Sequence, residues 1–569
     1  MTNATTFGLD PLANRIITAI APELGVSTAD LQLERPREEK HGEFSLPCFR
    51  FSKATGKNPA QLAGDLADGF HLEGITAAAA GPFLNFKVDP ALLASTVLEH
   101  ARSIDFARTT SDETTVVEFS SPNIVKPMHV GHLRSTVIGA ALARIYEHLG
   151  HNVVRINHLG DWGSQFGKLV AGWQRWGDAS KLEADPIGHL LEIYVRYHKE
   201  EKDDESLPAD AKKAFQELES GVDNETRQTW KQFTELSLRE FQRTYARLGT
   251  EFDFLRGESW YEDKLQDTLD FLEAANILEL DDGAWLVNLK SEGIKTPCLV
   301  KTAHGTTLYA TRDLAAARSR WSEFQFDRCL YVVGSEQILH FNQLKATLKR
   351  AGESEWSDRI EHITFGLIRL TEGKLSTRSG LVLTLAEVLD RAAELAREII
   401  AEKNPDLANA EQVAEQVAVG AIVFHDLKHQ RQKDVVFDWK EVLSFEGDTG
   451  PYLQYTHARC CSILRKSEKA APTWGEFDPA LLPESRDLMV AIGRFPQAIR
   501  EAAAKNEPML IAQALLKIGQ AGNSFYRNCS VLKAETPELG NARLAVMDSL
   551  RHVLAIGLGL LGVPTPKEM

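Results

Sequence analysis

The chain has few cysteines for its length, and no two of them are spaced as Cys-x-x-Cys. Its 569 residues include six cysteines, of which two are adjacent. A zinc site or a disulfide framework is therefore not expected, and so few thiols are typical of a protein from a reducing compartment. The six are Cys48, Cys298, Cys329, Cys460, Cys461 and Cys529.

Other features that are missing narrow the class of function. The first residues lack a basic region followed by an apolar one, so no signal peptide is expected. The longest apolar run, Val553–Val563, is shorter than the roughly 18–20 residues of a membrane-spanning helix. Lys and Arg number 64 against 80 Asp and Glu, a net charge of −16. This negative charge excludes a general polyanion-binding surface, so any contact with nucleic acid must use local basic patches. We expect a cytoplasmic protein that binds neither DNA nor a membrane.

The sequence changes character near Thr114. Residues 1–108 mix helical stretches with alternating apolar runs such as Phe83–Val88, which predicts a small α+β domain. Beyond them a β-branched strand, a loop, a helix pattern over Val130–Gly150 and a strand at Val153–Asn157 form a βαβ unit. The sequence therefore predicts a parallel, nucleotide-binding sheet.

Two further stretches are predicted to be helical. Pro186–Arg247 is polar and rich in helix-forming residues, and its charged run Lys199–Glu205 is interpreted as a solvated helical face. After Asp448 the chain is almost wholly helical in pattern, and the apolar spacing from Leu488 to Ile499 predicts one bundle helix.

The motif His129-Val-Gly-His132 lies where the first strand leads into its helix. A helix N-terminus offers unpaired N–H groups and partial positive charge to a phosphate, and two histidines on one face can donate to its oxygens. Gly131 lacks a β-carbon, so a nucleobase or ribose could pack on the backbone. A chance occurrence on a polar surface and a two-histidine metal pair are the alternatives. No third ligand of suitable spacing favours the metal pair.

A second motif, Gly373–Gly380, is a small basic loop bounded by glycines. Such loops bind polyphosphates through flexible backbone and cationic side chains. It is not a P-loop, because Lys374 is followed by Leu375 and the upstream glycine is absent. Taken alone, the motif is weak, and a solvated turn is the favoured interpretation.

Together the two motifs resemble the signature pair of class I aminoacyl-tRNA synthetases, and the surrounding sequence is similar to the bacterial arginyl-tRNA synthetase family. The resemblance runs from about residue 115 to the C-terminus and is looser over residues 1–108. The matching segments are Glu118–Thr136, Gly160–Gly167, Leu308–Leu314, Tyr331–Gly334, Gln337, His340–Gln343 and Gly450–Arg459. The second loop departs from the class pattern Lys-Met-Ser-Lys-Ser, since Thr377 replaces the second lysine.

The resemblance implies a fold and an activity. It implies an α/β Rossmann-like catalytic domain with helical insertions over residues 109–448. A small α+β N-terminal domain that contacts tRNA precedes it over 1–108, and an α-helical bundle that binds the anticodon follows over 449–569. The implied enzyme is an arginine–tRNA ligase, which forms arginyl-adenylate and pyrophosphate from arginine and Mg·ATP and then charges tRNA(Arg). No tightly bound metal is expected, and a monomer is expected.

The resemblance also implies the site residues. The catalytic and ATP-binding residues would be Lys126, His129, Gly131, His132, Lys374 and Ser376. The arginine-binding residues would be Glu118, Ser121, Asn123, His132, Tyr309, Asp313 and Gln337. The tRNA-binding residues would be Tyr452, Tyr455, His457 and Arg459.

Several alternatives stay open. Glu118, at a strand end, could pair with an arginine of the chain itself instead of the substrate. The two tyrosines of the last group could be aromatic residues of the bundle core. Either Lys126 or Arg378 could supply the charge that the second loop lacks. The competing functions are another nucleotidyltransferase with the same histidine motif and an RNA-binding paralogue without catalysis. The length of the helical region and the presence of His129, His132 and Asp313 argue against both.

Overall fold

The computed structural model describes residues 6–302, 307–370, 384–467 and 469–569. Its N-terminal region combines helices with short strands, as the sequence predicts. The strands pair antiparallel, with Phe83–Val88 between the other two. The elements are α1 (Asp10–Leu24), β1 (Phe44–Pro47), α2 (Ser52–Thr55), α3 (Pro59–Gly69), β2 (Ile75–Ala80), β3 (Phe83–Val88) and α4 (Pro90–His100).

The central region contains the parallel sheet and its helical insertions. Its first part consists of β4 (Thr114–Glu118), α5 (Val130–His148), β5 (Asn152–Asn157), α6 (Ser164–Trp176), α7 (Ala179–Ala184), α8 (Pro186–Glu200), α9 (Ser206–Glu219), α10 (Glu225–Arg247) and β6 (Phe254–Leu255). There follow α11 (Leu265–Ala274), β7 (Leu278–Asp281), β8 (Ala284–Val287), β9 (Cys298–Lys301), α12 (Tyr309–Phe324), β10 (Arg328–Tyr331), α13 (Ile338–Arg350), α14 (Ser354–Ser357) and β11 (Ile360–His362). The last part is β12 (Ile368–Leu370), α15 (Leu385–Lys403), α16 (Ala410–Leu427), β13 (Val435–Phe437) and α17 (Trp439–Val442).

The predicted βαβ unit is confirmed, and it lies at the centre of the sheet. The strands run parallel in the order β11-β10-β4-β5-β6. Ligands of such sheets bind beyond the carboxyl ends of the strands. This edge receives the loop after β4, which leads to His129, and the loop after β10, which leads to Gln337.

Helix α5 is buried on nearly every side, because it lies between the sheet and the C-terminal helices. It contacts β4 and β5 on one side and α15 and α16 on another. It also contacts helices of the C-terminal bundle, which consists of α18 (Gly450–Lys466), α19 (Arg486–Gly493), α20 (Phe495–Lys505), α21 (Met509–Asn528) and α22 (Pro537–Leu561). A helix held in this way gives its first turn a fixed position.

The bundle differs from the sequence prediction at one point. The spacing from Leu488 to Ile499 predicted one helix, but the structure has two, α19 and α20, with a break at Arg494. Pro496 explains the break, because it has no N–H to continue the helical hydrogen bonds. Leu488, Ile492 and Ile499 are all buried, so the apolar face is kept across the break.

Helix α22 is long and apolar enough to cross a membrane by length and composition alone, with a mean hydropathy of 1.6 in its most apolar window. However, 72% of that window is buried inside the protein. The helix packs on α18, α21 and α5. This burial is that of a core helix.

Candidate active site and tRNA-binding cleft

The loop after β4 contains strained backbone. Ser120, Ser121 and Val125 have φ angles of +72°, +48° and +73°, a region that costs a residue other than glycine about 1–3 kcal/mol. Helix α10 braces the loop: the Tyr245 hydroxyl lies 2.8 Å from Ser120 Oγ, and Ser237 Oγ accepts a hydrogen bond of 3.1 Å from Val125 N. Strain that the surroundings enforce in this way is typical of a functional loop.

The two histidines of the motif cap the first turn of α5. His129 Nδ1 accepts from Gly131 N at 3.0 Å, and His132 Nδ1 accepts from His129 N at 3.1 Å. Since each Nδ1 accepts, the proton of each neutral ring lies on Nε2. Burial lowers the pKa of His132 to about 3, and burial together with Lys126 lowers the pKa of His129. Both rings are therefore neutral at pH 7, and each has an Nε2–H to donate.

This capping changes two expectations from the sequence. The expected unpaired N–H groups of the first turn are partly used, because the amides of His129 and Gly131 donate to the imidazoles. The reason for a glycine at 131 is also different. A β-carbon there would lie 2.7 Å from His129 Cε1, so the glycine makes room for the imidazole of this chain.

An acidic pocket lies at the start of α12. Asp313 is buried, and its Oδ2 lies 2.6 Å from His340 Nε2, while its Oδ1 lies 3.7 Å from His158 Nε2. Tyr309, one turn earlier on the helix, is half exposed, and its ring centroid lies 4.6 Å from that of His340. The charge of Asp313, followed by burial, raises the pKa of the Tyr309 hydroxyl. The two residues are four positions apart on α12 and therefore share one helix face.

Glu118 is paired within the protein. Its Oε2 lies 2.5 Å from Arg320 Nη1, and the two side chains are 5% and 0% exposed. The structure thus has the internal pairing that the sequence left open. Because this carboxylate already has a cationic partner, it is a weaker candidate for the substrate guanidinium than Asp313 is.

Glu258 belongs to the same pocket and was missed from the sequence. Burial, followed by the charge of Asp313, raises its pKa to about 8. Arg312 Nε lies 3.9 Å away. The next residue, Ser259, donates to Asp161 through its amide at 2.9 Å and through its hydroxyl at 2.6 Å. The sequence signal was indirect, because the matched segment Gly160–Gly167 contains Asp161 but lies nearly a hundred residues earlier.

The other predicted substrate residues that the structure describes lie at the same edge of the sheet. Asn123 is exposed and bridges to Gly160. Ser121 Oγ is buried without a hydrogen-bond partner among the described residues. Gln337 is half-buried in the short turn that begins α13. Lys126 is exposed, and its ammonium lies 5.7 Å from the centroid of the Tyr194 ring. Lys374, Ser376 and Arg378 lie outside the described residues.

A basic, aromatic cleft of about 650 Å³ lies between α15 and the bundle helices α18 and α21. The Arg459 guanidinium lies 4.8 Å from the ring centroid of Tyr455 and 5.1 Å from that of Tyr526. Tyr455 is 41% exposed, whereas the Tyr452 hydroxyl accepts a hydrogen bond of 2.9 Å from Asn523. The cleft also includes Lys403, Phe445, Arg527 and Met569. Cations beside exposed rings suit stacked bases and phosphates.

His457 does not reach this cleft. It is 3% exposed, and its Nδ1 lies 3.1 Å from the carbonyl oxygen of Pro566 near the chain end. Burial lowers its pKa, so the ring carries no charge at pH 7. The position of His457 therefore does not support the expected contact with tRNA, and its ring instead holds the C-terminal segment.

Comparison with known proteins accounts for almost the whole chain. Residues 94–439 match the family described as tRNA synthetases class I (R), catalytic domain. Residues 453–569 match the DALR anticodon binding domain, and residues 10–88 match the arginyl tRNA synthetase N terminal domain.

Individual relatives are similar to this chain along all or nearly all of their length. The chain is 42% identical to an arginine–tRNA ligase of Clostridium perfringens over 553 residues, which is 96% of this chain and 97% of that one. It is 42% identical to arginine–tRNA ligase 2 of Bacillus anthracis over 94% of this chain and 95% of that one. The solved arginyl-tRNA synthetase of Thermus thermophilus superposes with a TM-score of 0.83 at 28% identity, covering 98% of this chain and 100% of that one.

Proposed function

The chain belongs to the arginyl-tRNA synthetase family, and we propose that the edge of the sheet described above binds arginine and ATP side by side. Its activity is that of an arginine–tRNA ligase, a class I aminoacyl-tRNA synthetase. Our assignment of the site is supported by the difference in chemistry between its two ends, one suited to phosphate and the other to a cation. Neutral imidazole donors lie at the start of α5, with Lys126 in the loop before it, whereas the buried carboxylate of Asp313 lies near the start of α12 with half-buried Glu258 nearby.

Arginine binds in the acidic pocket. A guanidinium is always protonated and offers five N–H donors in a plane, so it needs carboxylates and flat acceptors. Asp313 and Glu258 supply the carboxylates, and the Tyr309 ring lies beside them. Asn123, Ser121 and Gln337 lie toward the α-amino and carboxylate end. Glu118 acts through Arg320, whose position it fixes.

ATP binds at the start of α5. The arginine carboxylate attacks the α-phosphate in line, a bond forms between its oxygen and that phosphorus, and pyrophosphate leaves. No covalent enzyme intermediate is needed, so catalysis rests on positioning and on stabilising charge. The Nε2–H groups of His129 and His132 donate to phosphate oxygens, and the ammonium of Lys126 adds the positive charge. Lys374 and Ser376 complete the phosphate contacts, and Mg²⁺ arrives with ATP as Mg·ATP.

Transfer to tRNA follows. The hydroxyl of the terminal ribose attacks the carbonyl carbon of the adenylate, and AMP leaves. We place the anticodon in the cleft of α15, α18 and α21, where Tyr455 and Tyr526 stack on bases and Arg459 neutralises phosphate. We also propose that the domain boundaries lie at residues 108 and 448, and that the protein is a cytoplasmic monomer.

Pyrophosphate exchange tests the substrate assignment. The purified chain is assayed with Mg·ATP and each of the twenty amino acids, with and without tRNA(Arg). We expect arginine alone to support exchange. Citrulline is the matched control, because it has the shape of arginine without the charge and should be inactive. Exchange with citrulline comparable to that with arginine, or a stronger response to another amino acid, would contradict the acidic pocket as the arginine site.

A further inference from the structure

Arg134 is a buried cation that the mechanism does not use. It lies on the second turn of α5, two residues after His132, and is 1% exposed. Its Nη1 donates to the carbonyl oxygens of Gly366 at 2.9 Å and Lys433 at 2.8 Å. Its Nε lies 2.9 Å from Asp426 Oδ2 at the end of α16. One guanidinium therefore joins three separate parts of the chain.

The two carbonyls lie just before two paired strands. Gly366 precedes β12 and Lys433 precedes β13, and these strands pair in parallel from Ile368 opposite Val435. The backbones meet closely here, since a β-carbon on Gly366 would lie 2.7 Å from the carbonyl carbon of Lys433. Arg134 Nη1 donates to both carbonyls at this crossing. The start of β12 is therefore held against α5.

The chain is fastened to α5 a second time at Thr384. Thr384 bridges to His129, and Leu385 N donates to Met128 O at 2.8 Å. Residues 371–383, which contain the second signature motif, connect β12 to this point in the sequence. Both attachments lie within a few residues of the histidine pair. The described residues on both sides of that stretch are therefore held at the beginning of α5.

We propose that Arg134 is a positioning residue for ATP: it fixes the first turns of α5, and with them His129 and His132, relative to the start of β12 and the end of α16. The assignment rests on the proposed function, because it assumes that the two histidines contact ATP. Arg134 touches no substrate. Its effect is expected on ATP binding and not on the acidic pocket around Asp313.

Arg134→Lys is the first variant. Lysine keeps the charge, but a single ammonium lacks the planar fork and cannot serve Asp426 and both carbonyls in the same geometry. We expect the KM for ATP in pyrophosphate exchange, with tRNA(Arg) present, to rise about tenfold, the loss of one hydrogen bond to a charged group. The KM for arginine should stay within twofold.

The chain offers a matched control far from the site. Arg102 Nε lies 2.6 Å from Asp548, and its Nη atoms donate to the carbonyl oxygens of Pro472 and Ala471. It therefore makes the same kind of contacts where the N-terminal region meets the bundle. Arg102→Lys should leave both KM values within twofold, whatever it does to the thermal midpoint. A merely structural role for Arg134 predicts that the two variants behave alike.

Two further measurements keep the result decisive. If Arg134→Lys does not fold, Asp426→Asn replaces it, since it removes the charge that orients the guanidinium; a rise of about threefold in the KM for ATP is expected. Equilibrium binding of ATP without amino acid separates this proposal from the arginine assignment, because it needs no particular amino acid. Unchanged ATP binding in the folded variants, or equal rises in the KM values for ATP and arginine, would overturn the role of Arg134.

Discussion

The two halves of the proposed active site are built in different ways. At the start of α5, the two histidines lie three positions apart in the sequence, and their rings accept hydrogen bonds from backbone amides of the same helix end. Around Asp313, the pocket combines α12 with His158 after β5, Glu258 after β6 and His340 on α13. The phosphate side is thus set by local sequence and one helix end, whereas the guanidinium side exists only after the sheet has formed.

The largest effect that tests this division is on the guanidinium side. Replacing the buried carboxylate in Asp313→Ala should weaken arginine recognition by about 3–5 kcal/mol, the usual cost of breaking a buried charge pair. The KM for arginine should rise by roughly two to four decades, while the KM for ATP should barely change. Both are measured by pyrophosphate exchange. Equal losses for arginine and ATP would mean that the two halves are not separate.

Lys126 tests which cation completes the phosphate side. Lys126→Ala should raise the barrier to adenylate formation by about 3–4 kcal/mol, the loss of a preorganised charge at the transition state, with arginine affinity nearly intact. Thr377→Lys should partly rescue this variant if both lysines serve the same phosphate charge. Single-turnover adenylate formation measures the effect. A near-neutral Lys126→Ala beside a strongly impaired Arg378→Ala would assign the charge to Arg378.

The histidine pair tests the phosphate side of the site, as Asp313 tests the guanidinium side. His132→Ala should lower the rate of adenylate formation roughly 10²–10³-fold, as the loss of one preorganised donor does. The unmodified enzyme is first treated with a strong chelator. Addition of excess Mg²⁺ should then restore full activity. Permanent loss after that treatment would support the two-histidine metal pair.

The same division explains what could be predicted from the sequence. The βαβ unit, the strand Phe83–Val88 and the position of His129 and His132 follow from short-range periodicity and from one motif. Glu258 could not be found in this way, because its importance comes from burial beside Asp313, 55 positions later in the chain. The pairing of Glu118 with Arg320 was only one of two possibilities, since strand-end carboxylates look alike in sequence. The position of His457 inside the bundle depends on how the C-terminal segment packs.

The pKa of Glu258 predicts a pH dependence that belongs to the guanidinium side alone. With its pKa raised to about 8, the free enzyme holds this carboxyl largely protonated at pH 7, whereas a guanidinium favours the ionised form. The KM for arginine should therefore fall about tenfold between pH 7 and pH 8.5. Glu258→Gln should abolish this dependence. A KM for arginine that rises over the same interval would contradict the assignment.

The smallest expected effect separates two neighbours on α18. Arg459 lies in the cleft, so Arg459→Gln should raise the KM for tRNA several-fold and reduce the slope of log KM against log salt by about 0.7–0.9, the release of one counterion. His457→Leu should leave that slope unchanged, because the buried, neutral ring contributes no charge. It should instead lower the free energy of unfolding by about 1–3 kcal/mol, since the Pro566 carbonyl loses its donor. Aminoacylation at several salt concentrations and urea unfolding measure the two effects. A reduced slope in His457→Leu would show that this ring does face tRNA in the complex, and that the C-terminal segment moves to allow it.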